Sequence, residues 1–419
     1  MALMPSDSCL QRIAIISVHG CPVARLGERD TGGMNVYVLQ TAKELGRRGI
    51  QVDVYTRAHD PRDEQVTELG PNARVIHLKA GPYRAGKGSL SRYLPLFIAR
   101  LLEYQKAQGL SYQLVHSHYW LSGLVGCDLA QRWGIPLVSN FHTLAELKLQ
   151  ARVGEHEPLE RLSGEQKVAE TADVVVALTH HEQEALQRLY PDASGRVATI
   201  PGGVDAELFQ PMDSAAAKAQ FGLVGKRVIL FVGRVEPLKG VDLLLRAVAQ
   251  LDERQDLQVL IVGGRPEEDR EIARLRALAT ELQIAPQVQF LGTVRHEELP
   301  AYYNAAEVCV LPSYYESFGL AALEAQACGV PVIASRVGGL PTVVHDNETG
   351  YLIPWRCPEP FSEHLEVLLR NEQLRQSLGR AARQHAVALS WKAVVDQLEE
   401  LYCSLANGTL AAAAPRAGA

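Results

Sequence analysis

The sequence has no stretch approaching about 18 consecutive apolar residues, the length a bilayer-crossing helix needs. Its first residues, Met1 to Cys9, lack the basic segment and long apolar core of a secretory leader. Cysteine is sparse, seven in 419 residues, at Cys9, Cys21, Cys127, Cys309, Cys328, Cys357 and Cys403, with no Cys-x-x-Cys pair. That odd, scattered set suggests neither a disulfide framework nor a zinc site, and a reducing cytoplasm fits it best. Positive charge is also short: 42 Lys and Arg against 48 Asp and Glu leave a net charge of -6. Such a balance offers no field to gather nucleic acid or an anionic membrane. Histidines are not paired at i, i+4 and no Asp-x-Asp closes a strand, so metal ligands are not indicated.

What is present is regular alternation. Hydrophobic residues make up 47% and charged residues 21% of the chain, as in a soluble globular protein, and the length predicts two or three domains. Short β-branched runs predict strands at Ile13–Val18, Val52–Tyr55, Val75–Leu78, Leu114–His116, Leu137–Asn140, Val174–Leu178 and Val197–Ile200. A second series follows at Val228–Val232, Gln258–Val262, Val288–Leu291, Val308–Leu311, Val332–Ala334 and Tyr351–Ile353. Near-continuous apolar strands separated by helical spacing indicate α/β architecture with parallel sheets covered on both faces. The turn-rich stretch from Pro201 to Pro211 divides the chain into residues 1–204 and 205–390. Two facing doubly wound, Rossmann-like domains are expected, with a last helix over about 391–405 packing back on the first and a disordered tail over 406–419.

The run from Glu316 to Glu324 reads as a loop opening a helix. Gly319 lets the backbone approach a ligand, and the first-turn N–H groups would face an anion. Glu324 then lies five residues into the helix, roughly 8 Å along its axis, about the span from a diphosphate to its ribose. The same segment also reads as an ordinary return helix, ended by Gly329. Arg234 and Lys239 follow the strand at Val228 and can both reach one diphosphate. Gly32-Gly33 precedes a helix where doubly wound domains bind phosphates, but the loop lacks the full G-x-G-x-x-G pattern and Arg57 stands at the usual acidic ribose position. A dinucleotide oxidoreductase is therefore disfavoured. His142 ends the strand at Leu137, in the company of His19, His116 and His118 at other strand ends, and reads as either a reacting-centre group or a satisfied interior histidine. Lys87, Tyr119, Thr143, Lys148 and Arg161 follow strands in the first half and could hold a phosphate by charge-assisted bonds.

Taken together, the Gly32-Gly33 loop, His142, the Arg234/Lys239 pair and the Glu316/Glu324 segment resemble the retaining, nucleotide-sugar-dependent glycosyltransferases of family four, over residues 12 to 403. The resemblance implies a GT-B fold and a UDP-sugar as donor substrate, with no cofactor or divalent metal required. It implies that Glu324 binds ribose, Glu316 contacts the transferred sugar, and the Phe318-Gly319-Leu320 backbone serves the sugar and diphosphate. Arg234 and Lys239 would neutralise the leaving diphosphate, Gly33 would meet it, His142 would lie near the sugar's sixth carbon, and Val294 or Arg295 near the base. His19, Gly33, Asn35, Lys87, Tyr119, Thr143, Lys148 and Arg161 would serve the acceptor.

Two branches of the family compete. Val18-His19-Gly20 and Arg29-Asp30-Thr31-Gly32-Gly33 look like sucrose-phosphate synthases, which use UDP-glucose and fructose 6-phosphate. Met34-Asn35-Val36-Tyr37-Val38 and His118-Tyr119-Trp120-Leu121-Ser122-Gly123 look like the inositol-phosphate N-acetylglucosaminyltransferases of mycothiol synthesis. The acceptor-side loop favours fructose 6-phosphate slightly. A non-catalytic nucleotide-sugar sensor, or an epimerase or phosphorylase of the same architecture, is the alternative of another kind. No partner beyond small-molecule substrates is implied, and the sequence carries no signal for oligomeric state.

Overall fold

The β-branched runs form two sheets, β1 to β8 (Arg12–Ile16, Gln51–Arg57, Val66–Gly70, Ala73–Leu78, Val115–His118, Leu137–Asn140, Val174–Ala177, Val197–Thr199) and β9 to β14 (Arg227–Val232, Leu257–Val262, Val288–Gly292, Val308–Leu311, Val332–Ser335, Gly350–Ile353). The structure is a computed structural model that describes residues 9–24 and 31–409. The first sheet runs β3-β4-β2-β1-β5-β6-β7-β8 and the second β11-β10-β9-β12-β13-β14. All these pairings are parallel except β3 against β4. Strands such as β5, β6, β7, β12 and β13 are buried throughout, which requires cover on both faces.

β3 has no counterpart among the predicted strands. It is an antiparallel edge strand, mostly half-exposed, so its residues form no apolar run. The chain divides into two compact units between Pro201 and Gly202 rather than after Val204, and the helix Trp391–Ala406 belongs to the first unit. That helix is held to the end of the helix Gly33–Arg47 by Arg48, which pairs with Asp396 at 2.8 Å and Glu399 at 3.1 Å. Its Cys403 forms a disulfide with Cys9, just before β1, across a sequence separation of 394. This corrects the reading of the cysteines as unpaired: packing of the last helix brings together two thiols that spacing along the chain keeps apart. The tail beyond residue 409 and the residues Arg29 and Asp30 lie outside the described residues.

Strand order also places the chemistry. In each sheet the chain runs outward from a central strand and then resumes on its other side, at β1/β5 in the first and β9/β12 in the second. Loops leaving the carboxyl ends of those strand pairs diverge, and the crevice between them is where such sheets bind ligands.

Candidate active site

In the first unit the loops after β1, β5 and β6 meet around Tyr119. This residue follows β5 directly and has φ 75°, a left-handed backbone costly for a bulky side chain. Its N–H donates to Asn140 O at 2.8 Å, which ties the end of β5 to β6 and starts the helix Trp120–Trp133. The ring is buried, and burial raises the phenol to about 12, so it stays neutral. Lys87 Nζ stands 4.1 Å from the ring centroid, Arg161 Cζ 4.9 Å, and the His19 ring 4.5 Å. Two cations on one aromatic ring form a natural seat for an anionic group.

Arg161 projects from the helix Leu159–Thr171 and is almost wholly buried. It donates through Nη2 to Thr143 O at 2.8 Å and Oγ1 at 3.0 Å, through Nε to Glu165 at 2.7 Å, and pairs through Nη1 with Glu157 at 2.8 Å. Glu165 in turn accepts the Ala145 N–H, so one arginine fixes both Thr143 and the helix that follows it. Burial works against charge on Glu157, yet Arg161 and Lys148 hold its carboxyl below the usual value. Lys148 lies 2.5 Å from Glu157, so it shares that carboxylate with Arg161. Asn35 likewise spends its amide on Cys21 O, at 2.8 Å, where it closes the loop after β1. Gly33 begins the helix Gly33–Arg47.

His142 also has positive φ, 59°, with its N–H held by Asn140 Oδ1 at 2.9 Å. Its Nε2 lies 2.8 Å from His118 Nδ1. Burial, then the neighbouring His116, lowers His142 to about 3, so the ring is neutral at physiological pH. A neutral imidazole can orient a hydroxyl but is a poor proton store.

In the second unit the loops after β9 and β12 interlock. Gly240 has φ 64°, and a Cβ there would strike Pro312 O, so only glycine lets the two loops approach. Tyr314 N donates to Leu238 O at 2.8 Å. Lys239 Nζ thereby reaches Glu316 Oε2 at 2.6 Å, with both side chains largely buried. Gly339 N donates to Glu316 O at 2.8 Å, and Gly338 passes so close to that carbonyl that any side chain would collide. Arg234 pairs with Glu236 at 3.0 Å and keeps 43% of its side chain exposed.

Gly319, with φ 104°, caps the helix Leu320–Ala327, and its neighbour Phe318 is buried against Gly202. Glu324, on the helix's inner face, accepts from Tyr303 Oη at 3.0 Å and meets His296 Nε2 at 2.7 Å. Burial disfavours charge on His296, but the Glu324 carboxylate outweighs it and raises the imidazole above 6.5. His296 and Tyr303 escaped the sequence reading. The available signal was a histidine in the turn after β11, in the stretch where Val294 and Arg295 were singled out. Val294 is half-buried, while Arg295 is exposed and paired with Glu298 at 2.7 Å.

Two family profiles together span most of the chain: one described as glycosyl transferase 4-like domain over residues 32–203, the other as glycosyl transferases group 1 over residues 213–385. The chain is 40% identical to a D-inositol 3-phosphate glycosyltransferase of Corynebacterium efficiens, covering 97% of this chain and 98% of that one. It is 43% identical to the enzyme of the same name from Saccharomonospora viridis, over 94% of each. Among solved structures, a sucrose-phosphate synthase from Thermosynechococcus elongatus superposes with a TM-score of 0.88 at 38% identity, covering 94% of this chain and 99% of that one.

Proposed function

The chain belongs to the family-four GT-B glycosyltransferases, in the branch of sucrose-phosphate synthases and D-inositol 3-phosphate glycosyltransferases, and from that premise we propose that it transfers a hexosyl group from a UDP-sugar to a phosphorylated six-carbon acceptor. As a member it is a retaining, nucleotide-sugar-dependent hexosyltransferase. The observation that carries the acceptor reading is the convergence of Lys87 and Arg161 on the Tyr119 ring, with Thr143 held beside them. A phosphate dianion seated there would meet two cations and a hydroxyl.

On the donor side, Glu324 is the ribose ligand and Glu316 faces the transferred sugar, with the Phe318-Gly319-Leu320 backbone at the diphosphate and Val294 near the base. Arg234 and Lys239 stabilise charge on the departing UDP, the interaction that grows as the glycosidic bond breaks. The anomeric carbon passes through an oxocarbenium-like state, and the leaving phosphate takes the acceptor's proton. His142, neutral, orients a hydroxyl of the sugar and needs to accept no proton.

For the acceptor, the relatives that match nearly the whole chain at 40% and 43% identity favour an inositol phosphate over the fructose 6-phosphate toward which the sequence leaned. Fructose 6-phosphate is kept as second reading by the likeness to a sucrose-phosphate synthase at 38% identity. A cytoplasmic location belongs to this reading, because it takes a nucleotide sugar and a phosphorylated acceptor as freely dissolved substrates. UDP release is measured with UDP-N-acetylglucosamine or UDP-glucose and each acceptor, beside free inositol and free fructose. Turnover with one phosphorylated acceptor and none with its unphosphorylated parent is expected; no turnover with either phosphate overturns the proposal.

A further inference from the structure

His142 is surrounded by aromatic and imidazole rings that its assigned role does not use. On β5, His116 and His118 are two residues apart and so point to one face of the sheet. Their ring centroids lie 4.2 Å apart. Beyond them, Tyr402 of the helix Trp391–Ala406 bonds His116 Nδ1 at 2.6 Å, and Tyr37 sets its ring edge-on to His142 at 5.2 Å. Trp391 closes the group against Tyr37 at 5.5 Å. All these side chains are buried in one unit.

Burial keeps the three histidines neutral, so each ring carries one N–H and one lone pair. The 2.8 Å contact between His118 Nδ1 and His142 Nε2 therefore needs one donor and one acceptor. His118 Nε2 is buried without a hydrogen-bond partner among the described residues. Were the His118 proton there, an N–H would be orphaned in the interior, whereas a bare lone pair is the lesser loss. The proton belongs on Nδ1, where it has an acceptor. His142 Nε2 then accepts, and its own proton must sit on Nδ1.

We propose that His118 is a positioning residue, which donates its Nδ1 proton to His142 Nε2 and so fixes His142 as an Nδ1–H donor toward a hydroxyl of the transferred sugar; the last step rests on the hexosyltransferase reading above. His116 and Tyr402 back His118 against rotation, which lets the C-terminal helix support the reacting centre. Tautomer and ring orientation are set before substrate arrives, the condition for an oriented donor to act without reorganisation.

The test uses the full chain with histidine labelled with 15N, and reads the tautomer of His142 by ring-nitrogen correlation, with the His142→Gln variant giving the assignment. The Nδ1–H form is expected in the wild type and its loss in His118→Leu. In kinetics, His118→Leu should lower kcat tenfold or more with both KM values within about twofold. His118→Asn, whose amide can donate from near the Nδ1 position, should recover most of kcat. An Nε2–H tautomer at His142 in the wild type, or an unchanged kcat in His118→Leu, overturns the proposal. If His118→Leu does not fold, the wild-type tautomer and the kcat of His118→Asn, which a tenfold fall would count against, still decide. Absence of turnover by the wild type with every acceptor strikes the hexosyltransferase reading alone, because the tautomer is measured without substrate.

Discussion

Lys239 Nζ lies 2.6 Å from Glu316 Oε2, which joins the loop after β9 to the loop after β12 at the switch point of the second sheet. The pair is largely buried, so neither charge is easily replaced by solvent. Lys239→Ala would leave Glu316 without its cation and remove a positive charge from the leaving group together. Arg234→Ala removes only the charge, because Arg234 is half-exposed and pairs locally with Glu236. Each variant should lower kcat on the order of a hundredfold or more, the usual size of a lost electrostatic contact in a transition state. Steady-state UDP release is the check. Lys239→Ala alone should also lower thermal stability, and a near-normal rate in Arg234→Ala would place the leaving-group charge elsewhere.

Glu324 gives a binding prediction. Its carboxylate is already oriented by His296 and Tyr303, so nucleotide binding need not spend energy arranging it. Glu324→Ala should weaken UDP binding by about 1–3 kcal/mol, the range for a lost charged hydrogen-bond partner. Titration calorimetry measures this directly, and an unchanged affinity removes Glu324 from the site. His296→Gln should weaken binding less, because Glu324 keeps Tyr303.

Two sets of histidines act on stability at opposite ends of the pH scale. His296 is raised above 6.5 by Glu324, so its contribution is fully present below 6.5 and is lost as pH rises through the folded value. His116 and His142 are lowered to about 3 by burial, so their contribution is present above 6.5 and is lost as pH falls toward 3. The combined contribution of these histidines to stability should therefore be greatest near pH 6 to 7. Denaturant midpoints from pH 4 to 9 test this, with His296→Gln expected to flatten the alkaline fall and leave the acid one.

The disulfide between Cys9 and Cys403 closes nearly the whole chain. Loop-closure entropy for so long a loop predicts a stabilisation of up to about 6 kcal/mol in the oxidised protein. In a reducing compartment thiols are kept reduced, so there the bond is expected only after oxidation. Oxidised protein should run faster than reduced protein on a denaturing gel, Cys403→Ser should abolish the difference, and reduction should lower the melting temperature by several degrees. Identical melting of both forms would show that the helix Trp391–Ala406 is held by Arg48 and its apolar face alone.

The strands, the helices after them and the glycines that open the key turns were legible because each is a local pattern. Near-continuous runs of Val, Ile and Leu must be buried on both faces, and a glycine such as Gly319 opens a turn where the backbone takes a positive φ. A loop at a strand's carboxyl end could therefore be named as a candidate site from its residues alone, and Glu316, Glu324, Arg234, Lys239 and His142 were singled out that way. Partners were not legible. His296 reaches Glu324 from 28 residues away, Arg161 reaches Thr143 from 18, and Cys9 reaches Cys403 from 394. Those separations are fixed by sheet order and helix packing, which no short window of sequence contains. Lys148 shows the same divide: its charge and place after a strand were plain, but only the fold supplied Glu157 to take it. The sequence by itself determined the two doubly wound units and the kinds of group at their strand ends. Tertiary structure decided which of those groups meet, because hydrogen bonds and ion pairs act over about 3 Å and depend on packing between distant segments.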